Sequence, residues 1–417
     1  MTTLAEIARQ IEDAAARLDG VASLTPLQRS ERLSEKTGAD VWLKREDLQP
    51  VRSYKLRGAY NLIAQLGPEE RAAGVICASA GNHGQGVAWA CAHLGIKGRI
   101  FVPSTTPRQK RDRMTALGGD MAELVVVGDS YDEAAAHAMQ TAAETGAILV
   151  PAFDDVRTIA GQGTVAREIL EQLGYAPDVL LVPVGGGGML SGCLAWMSTH
   201  APQTRVVGVE PQGAACVLAA LIAGEPVDLA SVDTFVDGAA VKRAGAVTYP
   251  LIREANCDVV AVPVGQVCSE MLALYQTDGI IAEPAGALAN SALYGFTQIL
   301  PGQTVVAIVS GGNNDVSRYS EVVERSLVFE GRKHYFLVNF PQEPGALRRF
   351  LDEILGPDDD ITLFEYVKRS NRDTGPALVG IELGDPADFQ GLLDRMNSGS
   401  LKVEIVDPDS PFYRFLL

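Results

Sequence analysis

The sequence predicts an α/β architecture built on parallel sheet, followed by a separate small α+β module. Three observations carry this. Short apolar runs alternate with helical patterns between residues 74 and 310. Glycine-rich loops stand directly after three of those runs. Beyond Leu327–Arg332 the chain changes style, to aromatic-bearing strands separated by amphipathic helices. Strands apolar on both faces, interleaved with helices, imply a parallel sheet covered on both sides.

The elements follow in order. Thr3 and Glu6 make a capping box, and Leu4, Ile7, Ile11, Ala14, Ala15 and Leu18 then share one helical face. Apolar strand runs follow at 74–79, 98–103, 122–128, 178–184, 205–210, 258–264 and 303–310. Helices are expected from about Asn82 to His93, from Pro107 to Leu117, and through Ala134 and Met139. After the boundary, "RKHYFLVNF", "EPGALRRFLDEIL", "DITLFEYVKR", "TGPALVGIEL", "PADFQGLLDRM" and "LKVEIV" read as strand, helix, strand, strand, helix, strand. That is the ferredoxin-like order, usual for binding or regulatory modules.

A chain of 417 residues is too long for one ordinary core, so two or three domains are expected. The formal net charge of -17 argues against nucleic acid or an anionic membrane as partner. Cys77, Cys91, Cys193, Cys216, Cys257 and Cys268 form no C-x-x-C, and the histidines form no H-E-x-x-H; no metal site is expected. The N-terminal stretch lacks the apolar segment of a signal peptide, and a reduced, cytoplasmic protein is expected. Residues 179–199 carry no charge. Pro183 and four glycines interrupt them, so they read as strand, turn and helix rather than a membrane span.

In parallel α/β folds ligands sit beyond the carboxyl ends of the strands. The loop "AGNHGQGVA" (80–88) opens a helix whose free N–H groups suit a carboxylate or phosphate; a plain turn capped by Asn82 is the alternative. "PVGGGGMLSG" (183–192) opens another helix. It is neither G-x-G-x-x-G nor G-x-x-x-x-G-K-[ST], so any anion there would be met by amides and dipole alone. Ser310 ends the last strand run before "GGNND". In "KREDLQPVRSYKLRGAYN" (44–61) the commonest fate of the mixed charges is a solvated face. Lys55, however, stands at a helix start, where the dipole lowers an amine pKa and favours a Schiff-base nucleophile.

In this order, "SYKLRGAYN", "SAGNHGQGVA", "PVGGGGMLSG", "TFVDGAAVKR", "EPAGA" and "SGGNN" resemble the signature of the pyridoxal-phosphate-dependent serine/threonine dehydratases, of the tryptophan-synthase-β fold type. The tail resembles the ACT-like regulatory domain of biosynthetic threonine dehydratases. The resemblance implies two parallel-sheet subdomains in a catalytic domain over 1–328, the smaller at about 45–150, and an ACT-like domain over 329–417. It implies pyridoxal 5'-phosphate as cofactor and the elimination of L-threonine, or of L-serine, to a 2-oxo acid and ammonia.

Residue by residue, the resemblance assigns Lys55 to hold the cofactor covalently and move the Cα proton. It assigns Gly185, Gly186, Gly187, Gly188 and Met189 to the phosphate, Asn82 to the 3-oxygen and Ser310 to the ring nitrogen. Gly238, Ala239 and Glu283 fall beside the ring, and Ser79, Ala80, Gly81 and His83 at the substrate carboxylate. Tyr54 stands where the family often has Phe. Ala80 stands where related serine racemases carry Ser, which argues against racemisation. Glu210 lacks the second carboxylate of their divalent-cation site. For the tail, the resemblance implies isoleucine as inhibitor, valine as opposing effector, and a homodimer or homotetramer. A serine-preferring or other β-elimination lyase is the alternative, since a pocket discriminates one methyl by only about 1–3 kcal/mol. A non-catalytic amino-acid sensor is a further one, opposed by the intact set of motifs.

Overall fold

The computed structural model describes residues 2–367, 373–398, 402–408, 410, 412–413 and 416. It divides into two compact units, Met1–Asn314 and Asp315–Leu417.

The first unit holds two sheets. The larger has six strands in the order Leu27–Arg29, Asp40–Arg45, Thr304–Val309, Val179–Pro183, Arg205–Pro211 and Asp258–Val262. The first pair is antiparallel and the rest are parallel. The smaller sheet is parallel throughout, in the order Ala122–Val126, Gly98–Val102, Val75–Ala78 and Ile148–Leu149. Val179–Pro183 is buried at every residue, the signature of a strand with helices on both faces.

The first helix, Leu4–Leu18, carries the expected capping box: Thr3 Oγ1 accepts from the Glu6 N–H at 3.3 Å, and Glu6 Oε2 from the Thr3 N–H at 2.8 Å. Its buried face includes Ala8, while Ala15 is only half-buried. Asn82 is the first residue of its helix and Gly81 occupies the cap position, so Asn82 is not the N-cap. No helix among the described residues is long and apolar enough to cross a membrane; residues 179–199 are a strand, a turn and the Gly188–His200 helix.

Three strands escape the apolar pattern, one of them Leu27–Arg29, only three residues long. The short strand Ile148–Leu149 has too few residues to show a period. Asp40–Arg45 is a strand whose last residues are Lys44 and Arg45, both buried. The charged run is therefore not a solvated face. Lys44 Nζ pairs with Glu168 at 2.6 Å, Arg45 with Asp47 at 2.8 Å, and Arg57 with both Glu46 and Glu168. Burial disfavours the Glu46 charge, but Arg57 and Lys44 hold its carboxyl below the ordinary range.

The second unit is a four-stranded antiparallel sheet, ordered Asp360–Tyr366, Thr374–Glu382, Lys333–Pro341, Lys402–Ile405. With the helices Ala346–Ile354 and Phe389–Ser398 it completes the predicted ferredoxin-like order. Residues 368–369 and 401 of the predicted strands lie outside the described residues. Phe336, Val338, Phe340, Phe350, Val379, Ile381, Leu392 and Met396 form its core.

Candidate active site

The site assembles at the carboxyl edge of the larger sheet. Thr304–Val309 runs between Asp40–Arg45 and Val179–Pro183, with Val309 opposite Arg45 and Ala307 opposite Leu181. Ser310 and the glycine turn thus leave neighbouring strands on the same edge. Ser53 makes an antiparallel bridge with Gly311. The Tyr54 N–H donates to the Ser310 carbonyl at 3.2 Å, and the Gly312 N–H to the Arg52 carbonyl at 2.9 Å. This short zipper delivers Lys55, first residue of the Lys55–Ala64 helix, beside Ser310. The Ser310 hydroxyl donates to the Ala285 carbonyl at 3.1 Å, and by rotating it can turn the same proton to a ring nitrogen that accepts.

Lys55 Nζ donates to the Ala152 carbonyl at 3.2 Å and lies 5.3 Å from the Tyr54 ring centroid. Burial lowers its pKa from 10.5 to about 8, with Glu283 pulling the other way. The expected direction holds, but desolvation is the largest cause rather than the helix dipole. A lowered amine pKa means that the neutral, nucleophilic form appears as pH rises through 8; at pH 7 it is roughly a tenth of the population. The rate at which the cofactor-free enzyme takes up pyridoxal phosphate should rise with pH and level off above about 8. A midpoint near the ordinary 10.5 would contradict this.

Between Val179–Pro183 and Gly188–His200 runs the glycine turn. Three of its glycines are required by geometry, Gly188 because a Cβ there would stand 2.8 Å from Phe153 Cβ. Gly187 has φ +93°, and a Cβ there would stand 2.7 Å from Ile252 Cδ1. A Cβ on Gly186 would collide with the Phe153 ring. The Thr248 hydroxyl donates to the Gly186 carbonyl at 2.6 Å and fixes the turn. Gly188, Met189 and Leu190 open a helix, so their N–H groups have no intrahelical acceptor and face the positive end of the dipole. The Met189 side chain is buried in the main core, so what it offers the turn is its N–H.

A second free helix end lies at Asn82, His83 and Gly84. Ser79 Oγ accepts from the Gly81 N–H at 3.3 Å, and Ala80 packs against the core of the smaller sheet. Asn82 Nδ2 donates to Glu283 Oε1 at 2.6 Å while its Oδ1 accepts from Asn313 Nδ2 at 2.7 Å. One Asn82 N–H is left for a ligand. Burial, and then Asp237, push the Glu283 carboxyl up to about 7. A Cβ on Gly238 would lie 3.5 Å from Glu283 Oε1, and one on Gly185 would lie 3.2 Å from Ala239 Cα. The 238–239 segment therefore runs between Glu283 and the glycine turn. His83 is 4% exposed. Its Nε2 donates to the Val150 carbonyl at 2.7 Å, and burial lowers its pKa to about 4. What His83 presents to an anion is its backbone N–H, not a charged ring.

Sequence reasoning missed the segment Val150 to Asp155. Its carbonyls receive His83, Thr158 and Lys55 in turn. Phe153 packs on the glycine turn, and Asp154 accepts from the N–H groups of Ala246 and Val247 at 2.9 and 2.7 Å. No motif marks "VPAFDD"; its partners are contributed by distant parts of the chain. Lys110, paired with Asp237 at 2.6 Å, was also unanticipated and ties the Arg108–Gly118 helix to the 238–239 segment. Glu210 spends both oxygens on the Val217 and Leu218 N–H groups, each at 2.8 Å.

A partly buried lysine of lowered pKa, two free helix ends and an uncharged strand-end serine define a cofactor enzyme of the lysine-anchored, phosphate-holding kind. The family model described as pyridoxal-phosphate dependent enzyme matches residues 19–311, and that of the C-terminal regulatory domain of threonine dehydratase matches residues 324–416. The L-threonine dehydratase of Mycobacterium bovis, a biosynthetic one, is 61% identical over 409 residues, covering 98% of this chain and 95% of the relative. That of Corynebacterium glutamicum is 54% identical, covering 100% and 97%. Among solved structures, the processed threonine deaminase isoform 2 of Solanum lycopersicum superposes with a TM-score of 0.73 at 40% identity, covering 77% of this chain and 93% of that one. Maize serine racemase gives 0.71 at 30% identity, covering 77% and 98%. The chain belongs to the pyridoxal-phosphate-dependent enzymes and, among them, to the family of the biosynthetic L-threonine dehydratases. The residues present fit that cofactor: a nucleophilic amine, unbonded N–H groups for a phosphate, and a neutral hydroxyl for a ring nitrogen.

Proposed function

We propose that this protein is a regulated L-threonine ammonia-lyase, converting L-threonine to 2-oxobutanoate and ammonia as the committed step toward isoleucine. The observation that carries the reading is the gathering of Lys55, Ser310 and the glycine turn at the carboxyl edge of the larger sheet, with Asn82 brought to them from the smaller sheet through Glu283, in a chain that matches biosynthetic threonine dehydratases along nearly its whole length. Pyridoxal phosphate, when bound, supplies the electron sink for bond changes at the substrate Cα.

Lys55 anchors the cofactor through Nζ and afterwards carries the Cα proton on the same atom. The N–H groups of Gly185 to Met189 hold the phosphate. Asn82, braced by Glu283, donates to the 3-oxygen, and Gly238 and Ala239 leave a flat wall for the ring. Ser310 meets the ring nitrogen with a neutral hydroxyl, which cannot keep it protonated as a carboxylate would. That milder arrangement suits elimination, in which the leaving hydroxyl drains the charge. Ser79, Ala80, Gly81 and His83 turn backbone groups toward the substrate carboxylate. Ala80 has no proton to offer the opposite face of the substrate, which opposes racemisation.

The domain limits we assign are 1–328 for catalysis, with a smaller subdomain at about 45–150, and 329–417 for regulation. Isoleucine inhibits and valine opposes it through the second unit, in a homodimer or homotetramer, and we place the enzyme in the cytoplasm. The test is an initial-rate assay of 2-oxo acid formation from threonine and serine, with and without isoleucine, on the full chain and on a chain ending before residue 330. Threonine should exceed serine in kcat/KM by about 10–200-fold. Isoleucine should inhibit the full chain alone. A preference for serine would replace the substrate reading, and equal isoleucine sensitivity in the shortened chain would remove the regulatory one.

A further inference from the structure

Gln162 lies on the Val156–Leu173 helix, 1% exposed, between the lysine and the glycine turn. Its Nε2 donates at 3.1 Å to the Ala152 carbonyl, the same oxygen that accepts from Lys55 Nζ. Its Cγ is 3.1 Å from where a Cβ on Gly58 would stand, one turn along the helix that Lys55 opens. Its Oε1 is 2.6 Å from where a Cβ on Gly188 would stand, and no donor among the described residues reaches it. A buried acceptor without a donor is costly, and native interiors rarely keep one.

The N–H groups of Gly188, Met189 and Leu190 are donors and suit ionised phosphate oxygens. Oε1 is an acceptor, and the only donor a phosphate can bring to it is a P–O–H. A phosphate that keeps one proton satisfies both kinds of group at once. We propose that Gln162 is a further cofactor-contacting residue, which accepts a hydrogen bond from a singly protonated phosphate at the glycine turn while its amide nitrogen steadies the carbonyl that orients Lys55. The inference rests on the assignment of that turn to the phosphate.

Two measurements on Gln162→Leu and Gln162→Met holoenzymes test it, both substitutions keeping most of the side-chain volume. The first is affinity for pyridoxal phosphate against pyridoxal, read from cofactor absorbance. The variants should lose about tenfold or more for the phosphate ester and stay within about twofold for pyridoxal. The second is the phosphorus resonance at about pH 7.5, where a free phosphate ester, with its second pKa of about 6, is mostly dianionic. The unsubstituted enzyme should show the singly protonated position and the variants a shift toward the dianion. Equal weakening for both cofactors would reduce Gln162 to a packing role and overturn the proposal. So would an unaltered preference, or a dianionic resonance in the unsubstituted enzyme. If that enzyme itself failed to prefer the phosphate ester, the glycine-turn assignment would fall, and this inference with it. Should the leucine variant unfold, the methionine variant carries the comparison.

Discussion

Lys55→Ala protein is expected to be colourless after exposure to pyridoxal phosphate and to lose at least about 10⁴-fold in turnover, the upper end of what proton transfer alone contributes. The covalent anchor is lost as well, and no other amine replaces it: Lys44 is fully buried against Glu168. Stability should hardly change. Among the described residues Lys55 Nζ donates only to the Ala152 carbonyl, which Gln162 also serves. Burial disfavours the ammonium, so removing it costs little. Lys55→Arg keeps a cation but no nucleophile, and should be equally inactive. Retained absorbance or turnover in the alanine variant, with an unchanged unfolding midpoint, would refute the assignment.

Arg57→Met is expected to lower stability by about 3–5 kcal/mol, a large part of the roughly 5–15 kcal/mol that a folded domain has to lose. The Arg57 guanidinium is fully buried and donates to Glu46 at 2.8 and 2.9 Å, to Glu168 at 2.6 and 2.9 Å, and to Thr164 at 3.1 Å. Without it Glu46 stays buried, with Thr25 and Gln49 its side-chain donors among the described residues and Lys44 the nearby cation. Arg57→Lys should recover only part of the loss, because one ammonium cannot serve two carboxylates in the fork geometry of a guanidinium. Adding Glu46→Gln to Arg57→Met should restore stability relative to the single variant, since it removes the stranded charge. Urea unfolding of the single, lysine and double variants checks this. A single variant within about 1 kcal/mol of the parent would show the network to be dispensable.

Much of the catalytic frame was legible because its signals are local. Thr3 and Glu6 are three residues apart, and a capping box is complete within one turn. Val179–Pro183 shows no polar residue because both of its faces are covered. The glycine turn advertises itself because several close approaches meet in consecutive residues, among them Phe153 on Gly186 and Ile252 on Gly187. The position of Lys55 at a helix start was readable as well, although the cause of its lowered pKa was not. Burial depends on what covers a side chain, and the covering groups come from elsewhere.

The remainder was hidden for one physical reason. Asp40–Arg45 looks polar because the partner that lets Lys44 be buried, Glu168, stands 124 positions along the chain. The Ala152 carbonyl that holds Lys55 is 97 positions away, and an unmarked backbone oxygen leaves no trace in composition or period. His83 reads as a ligand for a carboxylate until Val150 is seen to take its ring. By itself, the order of residues determined which elements form, which loops lie at the strand ends and which chemistry they suit, since these depend on neighbours within a few turns. Only the tertiary structure decided which charges are buried, which donors are already spent and that the Gln162 acceptor beside the glycine turn has no donor among the described residues. Those outcomes depend on desolvation and pairing across long separations, and close only when the sheets and helices pack.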